Sequence, residues 1–142
     1  MTIEENKRVV RRFYDEVLNS RAIDVLPELA VADYEEHDML PGQGTGLAGL
    51  RDRVTMLTTA IDQHFSLEDV IAEGDRVVVR WTTNAKQVGD FLGIPATGKS
   101  YTIAGIDIYR LQDEKMAEHW HVVDLLSMLQ QLGVIPAPES AQ

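Results

Sequence analysis

The chain has 142 residues, 44% of them hydrophobic and 25% charged, and its 13 basic and 23 acidic residues give a formal net charge of −10. This length predicts one domain, residues 1–142, and the acidic charge argues against nucleic acid or an anionic membrane surface as a partner, because both bind clustered basic residues. The absence of cysteine excludes disulfides and thiolate chemistry, and without a long apolar run or a signal peptide we expect a cytoplasmic protein.

The first half of the chain predicts helices. Thr2 and Glu5 have the spacing of a capping box, and an apolar stripe continues the helix that they begin as far as Asn19. A second, short helix is predicted over residues 22–30. After a glycine-rich loop, apolar residues recur at spacings of three and four over 47–61, which predicts a third, amphipathic helix.

The second half of the chain predicts strands, because its apolar residues are mostly β-branched or aromatic. The predicted strands are residues 69–72, 76–83, 101–111 and 116–123, and a last helix is expected over 125–132. The tail from Pro136 is expected to fray. Helices followed by an antiparallel meander predict an α+β fold, in which the helices pack on one face of a curved sheet.

The last predicted hairpin carries the most informative polar residues. Arg110 and Glu118 lie on its two strands and predict a cross-strand ion pair, and this pairing sets Asp107 opposite His121. An aspartate can orient an imidazole and stabilise its cation while the imidazole exchanges a proton with substrate. The pair therefore predicts acid–base catalysis, and the alternative is an ion pair that only supports the sheet.

Strand alternation places Tyr109 and His119 on the same face as Asp107 and His121. Two histidines and an aspartate on one face could also be metal ligands, with His37 as a fourth. The interpretation that we favour is a strand that carries these polar residues without a metal.

The opposite face of the same hairpin predicts an interface. It carries an apolar stripe made of Ile106, Ile108, Trp120 and Val122. Because an exposed apolar stripe on a sheet commonly marks a contact with another chain, we expect a homo-oligomer, most simply a homodimer.

Five segments, taken in order, resemble one protein family. They are NKRVVRRFY at 6–14, YEEHD at 34–38, IAEGDRV at 71–77, FLGIPATGK at 91–99 and EHW at 118–120. Together they resemble the SnoaL-like polyketide cyclases, or predicted ester cyclases, of the nuclear-transport-factor-2-like superfamily. The resemblance extends from Glu5 to Gly133.

The resemblance implies an α+β cone that encloses an apolar cavity, and a cofactor-independent ring closure by intramolecular aldol condensation. The substrate would be a small carbonyl-containing or aromatic polyketide. In the family, an aspartate matches His121 and a histidine matches Asp107, so the two residue types are exchanged in this chain. The alternatives are a family member with altered chemistry, such as hydroxylation, and a small-molecule binding module without catalysis.

The expected site can be stated residue by residue. Asp107 and His121 are the predicted catalytic residues, and their side chains should lie within about 2.6–3.2 Å of one another or share one water. Five further residues are expected to contact the substrate: Tyr14, His37, Phe91, Tyr109 and His119. No cofactor is expected.

Overall fold

The computed structural model describes residues 2–137 and shows the expected α+β fold. The first helix, α1, covers Ile3–Arg12, and the predicted capping box begins it. Thr2 Oγ1 accepts a hydrogen bond from the Glu5 N–H over 3.1 Å, and Glu5 Oε2 accepts one from the Thr2 N–H over 2.9 Å. The helix continues to Asn19 as predicted, but Phe13–Asn19 is a π-helical segment with a wider turn.

The remaining helices follow the sequence prediction closely. A 3₁₀ turn at Ile23–Val25 and a short helix α2, Leu26–Leu29, replace the single helix predicted over 22–30. Helix α3 spans Gly46–Ala60, and helix α4 spans Leu125–Gln131. The predicted fraying concerns a tail whose residues 138–142 lie outside the described part of the chain. Among the described residues, no helix combines the length and the apolar character that crossing a bilayer requires.

The sheet has five strands in the order β1-β5-β4-β3-β2. The strands are β1 (Ala30–Glu36), β2 (Ile61–Glu73), β3 (Arg76–Gln87), β4 (Ser100–Gln112) and β5 (Lys115–Val123). Strands β2 to β5 form the predicted antiparallel meander, whereas β1 pairs with β5 in parallel. The predicted antiparallel sheet therefore carries one additional parallel strand at its edge, which the prediction missed because the acidic sequence of β1 hides its strand pattern.

The register predicted for the last hairpin is confirmed. Arg110 pairs with Glu118, and their side chains form an ion pair with 2.7 Å between Nε and Oε1. Asp107 lies opposite His121 as a consequence. On β4 the buried residues alternate from Tyr101 to Leu111, so one face of the hairpin packs toward the helices.

The edge strand β2 is held to the π-helical segment by a side chain. The Asn19 amide donates to the backbone carbonyl of Phe65 over 3.0 Å and accepts from the Phe65 N–H over 2.8 Å. Phe65 itself packs in the buried core, which lies between the sheet and the helices.

Candidate active site

A cavity of about 360 Å³ lies between the helices and the inner face of the sheet. Most of its wall is aliphatic or aromatic, and its carboxylate, guanidinium and imidazole groups are those of Glu36, Asp38, Arg53, Asp107, His119 and His121. Small-molecule sites have this character, with an apolar wall and a few convergent polar groups. Of the predicted substrate contacts, Tyr14, Phe91, Tyr109 and His119 line the cavity, and His37 does not.

Asp107 is a buried carboxylate with three hydrogen-bond donors around it. Its Oδ1 accepts from His119 Nε2 over 2.9 Å, and its Oδ2 accepts from Trp81 Nε1 over 2.7 Å and from the Tyr14 hydroxyl. Burial acts to raise the pKa of the Asp107 carboxyl, but the hydrogen bond and charge of His119, together with the Tyr14 bond, bring it below its ordinary value. Asp107 is therefore an anion at the base of the cavity.

His119 lies between two carboxylates. Its Nε2 donates to Asp107, and its Nδ1 donates to Glu36 Oε2 over 2.6 Å. Burial acts to lower the pKa of His119, but the hydrogen bonds and charges of the two carboxylates raise it to about 9. His119 is thus an imidazolium at neutral pH, with both of its N–H groups engaged.

His121 has the opposite character. Its Nδ1 lies 3.0 Å from Arg53 Nη2, and its backbone N–H donates to Asp38 Oδ2 over 2.8 Å. Burial lowers the pKa of the imidazole, and the positive charges of Arg53 and His119 lower it further. His121 is therefore neutral, and its Nδ1 accepts a hydrogen bond from Arg53, so that its proton is on Nε2.

The direct hydrogen bond predicted between Asp107 and His121 was wrong. His121 Nδ1 lies 3.7 Å from Asp107 Oδ1, beyond the distance of a direct hydrogen bond. The histidine that bonds Asp107 is His119, the diagonal neighbour on the same face of the hairpin. Because Arg53 donates a hydrogen bond to Nδ1 of His121, the side chains of Asp107 and His121 are adjacent in the cavity without a hydrogen bond between them.

The charged site residues that the sequence prediction missed are Arg53, Glu36 and Asp38, and the first two lie close together. Arg53 lies on the buried face of α3, and Glu36 is the last residue of β1. Their side chains are 10% and 4% exposed, and Arg53 Nη1 lies 3.5 Å from Glu36 Oε1. A signal for Arg53 was present, since it follows Leu50 by three residues on the apolar stripe of that helix.

His37 lies outside the cavity, which corrects its prediction as a substrate contact and as a fourth metal ligand. Its ring stacks on Trp120 with centroids 4.7 Å apart, and its Nε2 lies 2.6 Å from Glu118 Oε2. The Arg76 guanidinium lies 4.6 Å from the centroid of the same Trp120 ring. His37 therefore belongs to an aromatic and ionic cluster beside the strand pair β4–β5.

Asp107, His119 and His121 bring their ligand atoms within 4.8 Å of one another, which is the geometry of the metal site considered above. The donor set does not suit a cation. Both nitrogens of His119 carry protons that they donate to carboxylates, and Nδ1 of His121 accepts from the Arg53 cation. The arrangement is suited to holding and moving protons.

Two tyrosines complete the polar part of the cavity. The hydroxyls of Tyr14 and Tyr109 lie 2.9 Å apart, and Tyr14 comes from the π-helical segment. Burial and the Asp107 charge raise the pKa of both phenols well above its ordinary value, so both stay protonated. Phe91 closes the cavity from the long connection between β3 and β4.

Comparison with known proteins gives this geometry a context. The family model of the SnoaL-like polyketide cyclases matches residues 8–132. Aklanonic acid methyl ester cyclase DnrD from Streptomyces peucetius is 33% identical over 89 residues, which are 61% of this chain and 61% of DnrD. The match thus spans about three fifths of that relative's length.

Solved structures match over nearly the whole chain. TsrD from Streptomyces laurentii is 29% identical, with a TM-score of 0.87 over 95% of this chain and 99% of that one. A SnoaL-like polyketide cyclase from Agrobacterium tumefaciens is 23% identical, with a TM-score of 0.77 over 94% of this chain and 100% of that one. The second likeness shows the shared fold alone.

Proposed function

The chain belongs to the SnoaL-like polyketide cyclase family, whose model covers residues 8–132, and on this premise we propose that it is a cofactor-independent acid–base enzyme. Its reaction would be an aldol-type ring closure in a small carbonyl-containing or aromatic polyketide. The observation that carries the proposal is a neutral His121 placed 3.7 Å from the buried carboxylate of Asp107, inside an apolar cavity.

In this reaction His121 exchanges the proton. The imidazole removes a proton from a carbon next to a carbonyl, the resulting enolate carbon attacks a second carbonyl of the same molecule, and the new alkoxide takes the proton back. One carbon–carbon bond forms, and the atoms balance without a co-reactant. A lowered pKa supports this role, because it keeps His121 unprotonated and able to accept a proton at neutral pH.

Asp107 stabilises the charge that His121 acquires. When the imidazole becomes a cation, the carboxylate oxygen 3.7 Å away attracts it. The apolar surroundings strengthen this attraction relative to water. His119 acts through Asp107 as a positioning residue, since its hydrogen bond fixes the carboxylate and its charge keeps that carboxylate ionised.

The proposal is tested by turnover of aklanonic acid methyl ester, the compound in the name of DnrD. An activated β-dicarbonyl compound is the second substrate. We expect Asp107→Asn and His121→Asn each to lower kcat by about 10²-fold or more. Asp69→Asn is the control, because Asp69 is an exposed carboxylate that pairs with Arg80 at the surface. Thermal unfolding of each variant separates lost catalysis from lost folding.

Two results would contradict the proposal in different ways. Equal rates for the wild type and Asp107→Asn would remove Asp107 from the mechanism. A wild type that converts neither ester nor dicarbonyl substrate would contradict the cyclase reaction as a whole.

A binding module without catalysis is the second candidate function. The observation that favours it is that both oxygens of Asp107 already accept hydrogen bonds from His119, Trp81 and Tyr14, as in a purely structural buried carboxylate. A thermal-shift screen with aromatic ketones identifies compounds that bind. Product formed from any compound that binds would exclude this candidate.

A further inference from the structure

We propose that Arg53 binds the negatively charged oxygen of the substrate, an enolate or a phenolate, and that this exchange frees Nδ1 of His121 to act as the base. The inference rests on the proposed function, which it deepens by naming the group that recognises the substrate. It extends the pair of catalytic residues expected from the sequence to a third group that contacts substrate.

The two ends of the Arg53 guanidinium have different partners. Nη1 donates to the backbone carbonyl of Asp38 over 2.8 Å and to Gln43 Oε1 over 3.3 Å, so this end is fixed to the protein. Nη2 donates to His121 Nδ1 over 3.0 Å. A guanidinium is only a donor, so this hydrogen bond occupies the basic lone pair of His121.

A substrate oxygen can replace His121 as the acceptor of Nη2. A carbonyl oxygen that takes this hydrogen bond leaves Nδ1 of His121 with a free lone pair close to the carbon beside that carbonyl. Proton transfer from carbon to Nδ1 then leaves the enolate oxygen against the Arg53 cation. The proton on Nδ1 passes to the alkoxide formed by ring closure, which restores the neutral imidazole.

The charges around Arg53 suit an anion that forms only during the reaction. The Glu36 carboxylate at the end of β1 lies 3.5 Å from the guanidinium, and the backbone carbonyl of Asp38 in the loop that follows accepts from it. The Asp107 carboxylate and the His119 imidazolium lie beyond His121. The Glu36 carboxylate and the Asp38 carbonyl keep the buried cation in place before substrate binds. A neutral ketone can therefore enter, and the strongest attraction arises when its oxygen becomes negative.

The test uses alizarin, a planar hydroxyanthraquinone whose visible absorbance changes when its phenol ionises. Its titration in the presence of excess protein gives the pKa of the bound dye. In the wild type we expect this pKa to lie below that of free alizarin, because Arg53 stabilises the phenolate. In Arg53→Gln we expect it to lie about 1–3 pH units higher than in the wild type, because an apolar cavity without the cation favours the neutral phenol.

Two further variants locate the effect. Arg51→Gln is the matched control, since Arg51 lies on the same helix but is half exposed and pairs with Asp24. It should leave the pKa of bound alizarin unchanged. Arg53→Lys keeps the positive charge without the forked donor, and we expect it to retain part of the lowering.

A wild-type protein that does not bind alizarin, or that binds it with a pKa at or above that of the free dye, would overturn the inference. An equal pKa of bound alizarin in Arg53→Gln and in the wild type would overturn it too. If Arg53→Gln does not fold, the wild-type titration decides alone. The measurement needs no turnover, so a protein that lowers the dye's pKa without cyclising any substrate would contradict the proposed function and leave the Arg53 anion site standing.

Discussion

His119 shows how one buried side chain couples the site to the stability of the fold. Its ring is 5% exposed and lies between the carboxylates of Asp107 and Glu36. These partners raise its pKa from an ordinary value of 6.5 to about 9. A group whose pKa is higher in the folded state stabilises that state while it is protonated, so its contribution is complete below the unfolded value and is lost as the pH rises through the folded one.

We therefore expect the free energy of unfolding to fall as the pH rises from 6.5 to about 9, by up to about 3 kcal/mol from this residue. Urea unfolding at several pH values measures it. His119→Gln should flatten this slope, whereas His64→Asn should not, since His64 is an exposed histidine on β2. A wild-type slope that survives in His119→Gln would contradict the assignment.

At the scale of the elements, the pairing of β3 with β4 determines where the Trp81 N–H lies, and this N–H donates a hydrogen bond to Asp107. Gly105 pairs directly with Trp81, and an added Cβ at Gly105 would overlap the indole ring. The glycine therefore leaves the space in which the ring lies flat on β4 and points its N–H at the carboxylate.

We expect Gly105→Ala to destabilise the protein by about 1–3 kcal/mol, because the indole must move from a filled position and leave Asp107. Thermal unfolding gives the size of the loss. The double variant with Trp81→Phe is the control, since a smaller ring relieves the overlap. The double variant should then lose less stability than the sum of the losses in the two single variants. Strict additivity would show that the ring and the glycine do not meet.

The β4–β5 hairpin also shows why part of the site could be predicted from sequence. The opposite charges of Arg110 and Glu118 indicate that the two residues pair across the strands, and this pairing predicts the correct register. Counting back from the turn would have failed, because Ala117 is an extra residue in β5 and the register shifts there. The count would then have set Asp107 opposite Trp120.

Other parts of the structure depend on contacts that the local sequence does not specify. The acidic residues of β1 do not form a recognisable strand pattern, and the strand forms because its backbone pairs in parallel with β5. Arg53 became a site residue through the loop after β1, whose backbone carbonyl at Asp38 holds one end of it. His37 is adjacent in sequence to the site residues Glu36 and Asp38 but stacks outside on Trp120.

At the scale of the whole molecule, the outer face of the sheet carries the apolar stripe that predicted an interface. Val122 is 77% exposed and Ile106 is 46% exposed, and the two pair across β4 and β5. Arg80 lies beside Ile106 on β3 and is paired with Asp69. We propose that a second copy of this chain covers the stripe, since its neighbouring charges are paired and do not add to the repulsion between two acidic chains.

We expect light scattering to show a dimer at micromolar concentration and Val122→Asp to give a monomer, because the new carboxylate would be buried opposite its own copy. Folding of the monomer should be unaffected at so exposed a position. Leu126→Asp is the control, since Leu126 is 60% exposed on α4 and does not belong to the stripe. A monomeric wild type would contradict the dimer.

The Asn19 amide has a consequence for aggregation. An exposed edge strand presents unpaired backbone groups on which another chain can add a strand, and β2 is such an edge. At Phe65 the amide side chain takes both backbone groups, as a neighbouring strand would. The exposed carboxylates of Glu68 and Glu73 repel a second β2 along the rest of this edge. Addition of a strand to the β2 edge is thus blocked at Phe65, and the surface on which we propose that copies associate is the outer face of the sheet.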